Sequence, residues 1–545
     1  MNQFQMPKPS VPSTFASLRA ALGSRRIAAV TLQSFASGLP LGLVWISLPA
    51  WLAYRGVDIK TIGLFSLAQA PWTFKFLWAP AMDRWNPRFL GRKRSWMIVF
   101  QAVLAIAFGL LALEARSPSV AAVAALAIFV AFASASQDIA IDGYAVEVLE
   151  KSELGTAVGA RVALYRAATL LSGAVAITLG ERIGWGAVFV GLGLLYIPLM
   201  GVVLWSPEPP PVSHAPKTLR EAVFEPLVGI FRKTRAAEII GFLLLYKFGE
   251  NLATALTRPF LIQKCFSPED VGLATATIGL IAIIFGTFIG GWSADRIGLG
   301  RALWIFGVIQ AIGFLGYIAI DQMAPGTPCA AGAAALHPAV PDWTHRVVMY
   351  VAVGIENLCQ GMATGAFGVL LLRLTEKQFS ATQYALFSSI FALGRTLAGP
   401  PAGILVDALG WTPFFLVSVL ASIPGLLLLR RFVPLRAREP DLDVAEEAAR
   451  APVSKTALAA SSIAIGLGGF AIAACTSALL AAMKAMRAHP GSGFAFGSEL
   501  LRLLAPARAP DWLRLAGPVA VGLVAGLAAA AFTAARRGIR PPSEP

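Results

Sequence analysis

Charge is scarce in this sequence: Asp, Glu, Lys and Arg make up 14% of its 545 residues, against 57% hydrophobic residues and a mean hydropathy of +0.68. A soluble chain of this length has too little polar surface to cover so much apolar side chain, so a soluble globular protein is excluded. Histidine is nearly absent. The four, His214, His337, His345 and His489, are all expected in loops, so histidine is not expected to carry protons within the membrane. Cysteine is equally rare: Cys265, Cys329, Cys359 and Cys475 form no CxxC pair and no Cys/His spacing for a metal. Cys265 and Cys329 fall in loops on one expected side, where a disulfide can join them. No apolar run contains an HxxxD pairing or a DDxxD-type cluster, so the chain is not expected to be an enzyme, and no metal or cofactor is expected. The segment up to Leu22 lacks the apolar core of a cleaved signal peptide, so the first span is expected to insert and stay.

What the sequence has instead is apolar runs, each of the ~20 residues needed to cross about 30 Å of hydrocarbon. In lipid each run must satisfy its own backbone groups, so the expectation is an all-α membrane protein. The runs fall at 27–54, 61–82, 95–113, 119–145, 155–180 and 185–205; then at 238–263, 271–294, 302–320, 346–373, 380–406 and 411–429; and last near 455–482 and 513–535. The expected organisation is a six-helix half (1–205), a linker (206–236), a second six-helix half (237–430), a charged linker (431–455) and two additional helices with a tail (456–545). The first linker opens on the proline-rich stretch Ser206–His214. It continues over Lys217–Arg235 with Leu219, Val223, Phe224, Leu227 and Phe231 between charges, the pattern of an amphipathic surface helix.

The net charge of +15 does not point to nucleic acid, because the basic residues sit in short clusters between apolar runs. In the first twelve spans, Lys and Arg are more than twice as common in the loops after spans 2, 4, 6, 8 and 10 as in the alternate set. Those loops are therefore expected in the cytoplasm, with both termini. The loop before the last span, with Lys484, Arg487, Arg502, Arg508 and Arg514, breaks this bias; either that helix pair is oriented differently or the loop lies on the membrane.

The loop after span 2 carries Asp83-Arg84 and then Gly91-Arg92-Lys93-Arg94; the loop after span 8 carries Gly291-Trp-Ser-Ala-Asp295-Arg296-Ile-Gly298 and then Arg301. Equivalent positions in two six-span blocks indicate a parallel repeat. A carboxylate at such a turn can hold a helix end of the opposite half, and glycine permits the turn. Asp83, Arg84, Asp142, Asp295 and Arg296 are thus expected to form a cytoplasmic gate.

The second loop resembles the signature loop of the major facilitator superfamily, which implies two six-helix halves and alternating access. Ser37-Gly-Leu-Pro-Leu41, Gly56–Ser66, Lys75–Pro80 with Asp83-Arg84, and Ser136-Gln-Asp-Ile-Ala-Ile-Asp-Gly-Tyr144 together resemble the muropeptide permease family. That resemblance implies proton-driven import of N-acetylglucosaminyl-anhydro-muramyl peptides across the bacterial inner membrane for cell-wall recycling, with two helices beyond twelve. Its implied partners are the muropeptide, protons and membrane lipid. Acetyl-coenzyme A transporters resemble the same segments, so a carrier or exchanger for another anionic solute is the alternative.

Ionisable groups inside spans are costly and usually functional. Asp138 and Asp142, four apart, share one face of span 4. Asp138, Glu356 and Glu250 are the candidates for proton coupling, with Asp138 first and Lys75 as its expected ion-pair partner. Gln137, Lys247, Asn251, Asn357 and Gln360 are candidates for a substrate cavity, because they lie on spans 4, 7 and 10, which with span 1 line the cavity in the facilitator fold; Lys75, Arg166 and Arg395 join them as cations set within spans 2, 5 and 11. Trp45, Trp51, Trp72 and Trp78 are expected as interface anchors.

Overall fold

The computed structural model describes residues 23–57, 68, 70–85, 87, 90–116, 118–210, 216, 218–233, 235–323, 343–435, 437–440, 442, 454–488, 495–507 and 509–537. Every long element among them is helical. In chain order they are α1 (Arg25–Tyr54), α2 (70–84), α3 (Arg94–Glu114), α4 (Val120–Val148), α5 (Leu154–Ile183), α6 (Trp185–Trp205), α7 (Leu219–Arg232), α8 (Ala236–Gln263) and α9 (Glu269–Ile297). There follow α10 (Leu299–Met323), α11 (Trp343–Leu374), α12 (Ser380–Leu409), α13 (Trp411–Phe432), α14 (Lys455–Ala488), α15 (Phe496–Leu504) and α16 (Ala509–Arg537). Among the described residues, twelve helices are long and apolar enough to cross a bilayer, those of α14 and α16 included.

The chain divides into two compact units. The first comprises 1–217 and 238–441, the second 218–237 and 442–545. Within the first unit each six-helix half has its own core. One is built on Leu104, Phe108, Trp51, Trp185, Phe189 and Tyr196, the other on Phe260, Tyr317, Phe414 and Phe415. Trp51 is therefore not an interface anchor: it is fully buried between Trp185 and Phe189. His345 falls in the first turn of α11 rather than in a loop, and its Nε2 meets the Met323 carbonyl at 2.8 Å. The other three histidines lie outside the described residues, as do most of the Gly56–Ser66 segment and Cys329; Cys265 is disulfide-bonded.

Several helices of the first unit are irregular. A π turn interrupts α1 at Leu43–Ser47 and another interrupts α5 at Leu171–Val175; the Ser47 hydroxyl donates to the Ser172 carbonyl at 2.5 Å, joining the two. Such turns concentrate at functional positions. α8 breaks at Tyr246–Lys247 and at Ala255–Leu256. Pro259, four residues after Ala255, cannot donate to its carbonyl, which accounts for the second break.

The second unit holds a contact between segments far apart in sequence. Thr218 caps α7 by accepting from the Glu221 N–H at 3.1 Å. The apolar face of α7 then packs on α16: Phe224, Leu227, Val228 and Phe231 cluster with Ala531, Ala534 and Ala535, and Phe231 meets Phe532 edge-on at 5.7 Å. The face read as membrane-seeking is thus occupied by the C-terminal helix. α14 and α16 approach closely at Gly466, Gly469, Gly522 and Gly526, with the Ser462 hydroxyl donating to the Gly526 carbonyl at 2.7 Å.

Candidate functional site

Two clasps join the halves of the first unit at one end. Asp83 ends α2. Its carboxylate accepts from the Ala381 N–H at 3.3 Å, the Thr382 N–H at 2.8 Å and the Thr382 hydroxyl at 2.7 Å, all in the first turn of α12. Asp295, near the end of α9, accepts from the Gly155 and Thr156 N–H groups at 3.1 and 3.3 Å, in the first turn of α5. Each carboxylate thus caps a helix of the opposite half, where free N–H groups and the helix dipole favour negative charge.

The supporting residues differ from those expected. The cation on Asp83 is Lys93, at 2.6 Å and with both side chains fully buried, rather than Arg84. Arg92 pairs with Glu147 of α4 at 2.6 Å, and Glu147 also accepts from the Ser380 hydroxyl of α12 at 2.5 Å. Sequence reasoning missed Glu147 because it reads as an ordinary helix-end charge. Arg296 lies 5.0 Å from the Trp292 ring. Gly298 has φ +95° and does serve the turn, but Gly291 is a packing glycine: a Cβ on Gly155 would stand 1.9 Å from its carbonyl.

Beyond the clasps lies a cavity of roughly 310 Å³ between the halves, in the range of small-molecule sites. Ser34, Ser37, Asp138, Asp142, Arg161 and Tyr165 line it from one half; Thr364, Phe367, Tyr384, Ser388 and Phe391 line it from the other. Here Asp142 departs from its expected gate role. It takes Lys75 Nζ at 3.3 Å and Arg161 Nη2 at 2.5 Å, and Arg161 also donates to Ser34 at 3.0 Å. The expected Lys75–Asp138 pair does not form: the ammonium is held by Asp142, and Asp138 Oδ1 has no hydrogen-bond partner. Lys75 reaches this point from a 3₁₀ turn, Lys75–Leu77, tightened just before Pro80.

The remaining candidates separate. Lys247, at the break in α8, pairs with Glu250 and donates to the Thr364 hydroxyl at 2.7 Å; Gln360 Nε2 donates to Glu250 at 2.7 Å. This network fastens α8 to α11 within one half. Glu356 is buried in the same half, accepting from Tyr317 at 3.3 Å and Asn357 at 2.8 Å, and does not line the cavity. Gln137 is fully buried rather than cavity-lining, and neither it nor Asn251 Nδ2 has a side-chain partner. Arg166 and Arg395 are exposed, one on each half, on the helices that supply Tyr165 and Phe391 to the cavity.

Comparison with known proteins agrees with this geometry. Residues 30–348 match the model of the Major Facilitator Superfamily. The chain is 40% identical over 406 residues to the anhydromuropeptide permease of Escherichia coli, covering 74% of this chain and 79% of that one. The human organic anion transporter TETRAN superposes with a TM-score of 0.54 at 15% identity, over 74% of this chain and 99% of that one. The Escherichia coli fucose:proton symporter superposes with a TM-score of 0.53 at 14% identity, over 74% and 98%. Two capped clasps beside a cavity that holds largely buried charges, this match and this identity together place the chain: it is a multi-pass membrane transporter that belongs to the Major Facilitator Superfamily, in its muropeptide permease family.

Proposed function

We propose that this protein imports N-acetylglucosaminyl-anhydro-muramyl peptides across the bacterial inner membrane by alternating access, driven by protons. The observation that carries the substrate assignment is the 40% identity to the Escherichia coli anhydromuropeptide permease over most of both chains. The clasp end is assigned to the cytoplasm, with both termini, from the basic loops beside it. In this reading, two closed clasps at that end belong to a state that receives solute from the periplasm.

Asp138 is the coupling group in this reading. It lines the cavity with an oxygen free of hydrogen bonds; Glu356 also has a free oxygen but is enclosed in one half away from the cavity, and Glu250 is engaged by Lys247 and Gln360. Lys75, Arg161, Asp138 and Asp142 form a balanced cluster of two cations and two anions. Proton binding at Asp138 leaves two cations facing one carboxylate, so the cavity gains positive charge as an anionic solute arrives. The proton and the anion therefore favour each other, as a symporter requires.

Expression in a bacterium that lacks its own muropeptide permease tests this assignment. The expected outcome is restored import of the anhydro-disaccharide peptides. An inserted, well-expressed protein that leaves import absent while carrying acetyl-coenzyme A contradicts it.

A further inference from the structure

Arg166 and Arg395 are placed alike in the two halves. On α5 the cavity-lining residues Val158, Arg161, Val162 and Tyr165 repeat at helical spacing, and Arg166 stands four after Val162 on the same face. On α12 Tyr384, Ser388 and Phe391 repeat likewise, and Arg395 stands four after Phe391. Both helices start at the clasps. Arg166 is ten residues beyond the clasped Thr156 and Arg395 thirteen beyond the clasped Thr382, so both lie about 15–20 Å into the bundle at ~1.5 Å per residue.

Neither guanidinium has a hydrogen bond or ion pair among the described residues; Arg395 only stands 5.9 Å from the Phe391 ring. Both are exposed, yet they sit among protein charges and feel each other. Glu250 also reaches Arg166 electrostatically, but it is occupied by Lys247 and Gln360. An unpaired arginine midway along a membrane-spanning helix is costly and marks a ligand path. Two of them, one per half, offer forked donors to two carboxylates.

We propose that Arg166 and Arg395 form a two-point clamp for a solute bearing two carboxylates, and that their mutual repulsion holds the halves apart at this level until such a solute bridges them. This rests on the carrier reading above and adds to it the reason an empty carrier does not close. The bridging anion replaces repulsion between the halves with two charge-assisted contacts, so closure follows loading.

The test has two arms. In proteoliposomes, the anhydro-disaccharide tripeptide is compared with the same molecule amidated at its peptide carboxylates. Wild type should favour the free acid about ten-fold or more, the effect of losing one charge-assisted contact. Arg166→Gln and Arg395→Gln should lose that preference, and the Lys variants should keep most of it. Separately, in purified protein without solute, spin labels at Thr178 and Asp407, at the far ends of α5 and α12, report the separation of the halves by pulsed resonance. The tripeptide should shorten the wild-type distance, and Arg395→Gln should populate the short distance when empty. Unchanged preference in the Gln variants, or an empty Arg395→Gln carrier as open as wild type, overturns the clamp. Absence of any tripeptide uptake by wild type overturns the substrate assignment instead, and the second arm still reads the repulsion.

Discussion

Asp83 of one half receives the backbone N–H of Thr382 of the other at 2.8 Å and its hydroxyl at 2.7 Å, while Lys93 holds the same carboxylate from behind at 2.6 Å. Asp295 repeats the cap on Gly155 and Thr156, but no lysine or arginine stands within ion-pair distance of it among the described residues. The two clasps are thus alike in capping and unlike in charge.

That difference predicts unequal effects. Asp83→Asn leaves buried Lys93 with only the more distant Glu147 carboxylate, at 3.9 Å, so the loss falls toward the lower end of the roughly 3–5 kcal/mol that breaking a buried pair costs. Asp295→Asn removes only charge-assisted bonds to backbone, about 1.5–3 kcal/mol. Both should lower uptake, the first more steeply, with expression less affected. Equal and wild-type uptake in both reduces the loops to topogenic anchors.

Gly155→Val should fail for a steric reason, since its Cβ would stand 1.9 Å from the Gly291 carbonyl. The clasp between α5 and α9 then cannot close. A cysteine at Thr156 should become accessible to a membrane-impermeant maleimide from the clasp side, where wild type is protected. Protection as in wild type would show that the close approach is not required.

Asp138→Asn is expected to abolish accumulation driven by a pH gradient while solute counterflow survives, because the amide cannot load and release the proton. Asp142→Asn should be worse for folding, since it leaves both Lys75 and Arg161 without their carboxylate. If Asp138→Asn still concentrates solute, and a protonophore still collapses the gradient, the coupling group lies elsewhere.

Phe231→Ala should loosen α7 from α16 by about 1–3 kcal/mol, below a full core truncation because the ring is only partly buried. Hydrogen exchange over Leu219–Arg232 should quicken in this variant and in Phe532→Ala. Unchanged exchange in both means that the helix is held by something other than this contact.

Much of this was legible in the sequence. Equivalent Asp-Arg turns after spans 2 and 8 announced the repeat and the capping carboxylates. Their supports did not, because Lys93 and Glu147 differ from neighbouring loop charges only in where the fold buries them. Asp138 and Asp142 share a face, so spacing could not say which one takes Lys75; Arg161 of a third helix decides it, and holds Asp142. The apolar stripe of α7 was plain, but its occupant lies some three hundred residues further along the chain, and a stripe alone does not distinguish lipid from another helix.

The central claim is proton-driven muropeptide import, and uptake into proteoliposomes with an imposed pH gradient measures it most directly. The account predicts that the labelled anhydro-disaccharide peptide accumulates above equilibrium when the outside is acid, and that accumulation ends on adding a protonophore. Accumulation of acetyl-coenzyme A but not of the muropeptide, or muropeptide uptake that ignores the gradient, would contradict it.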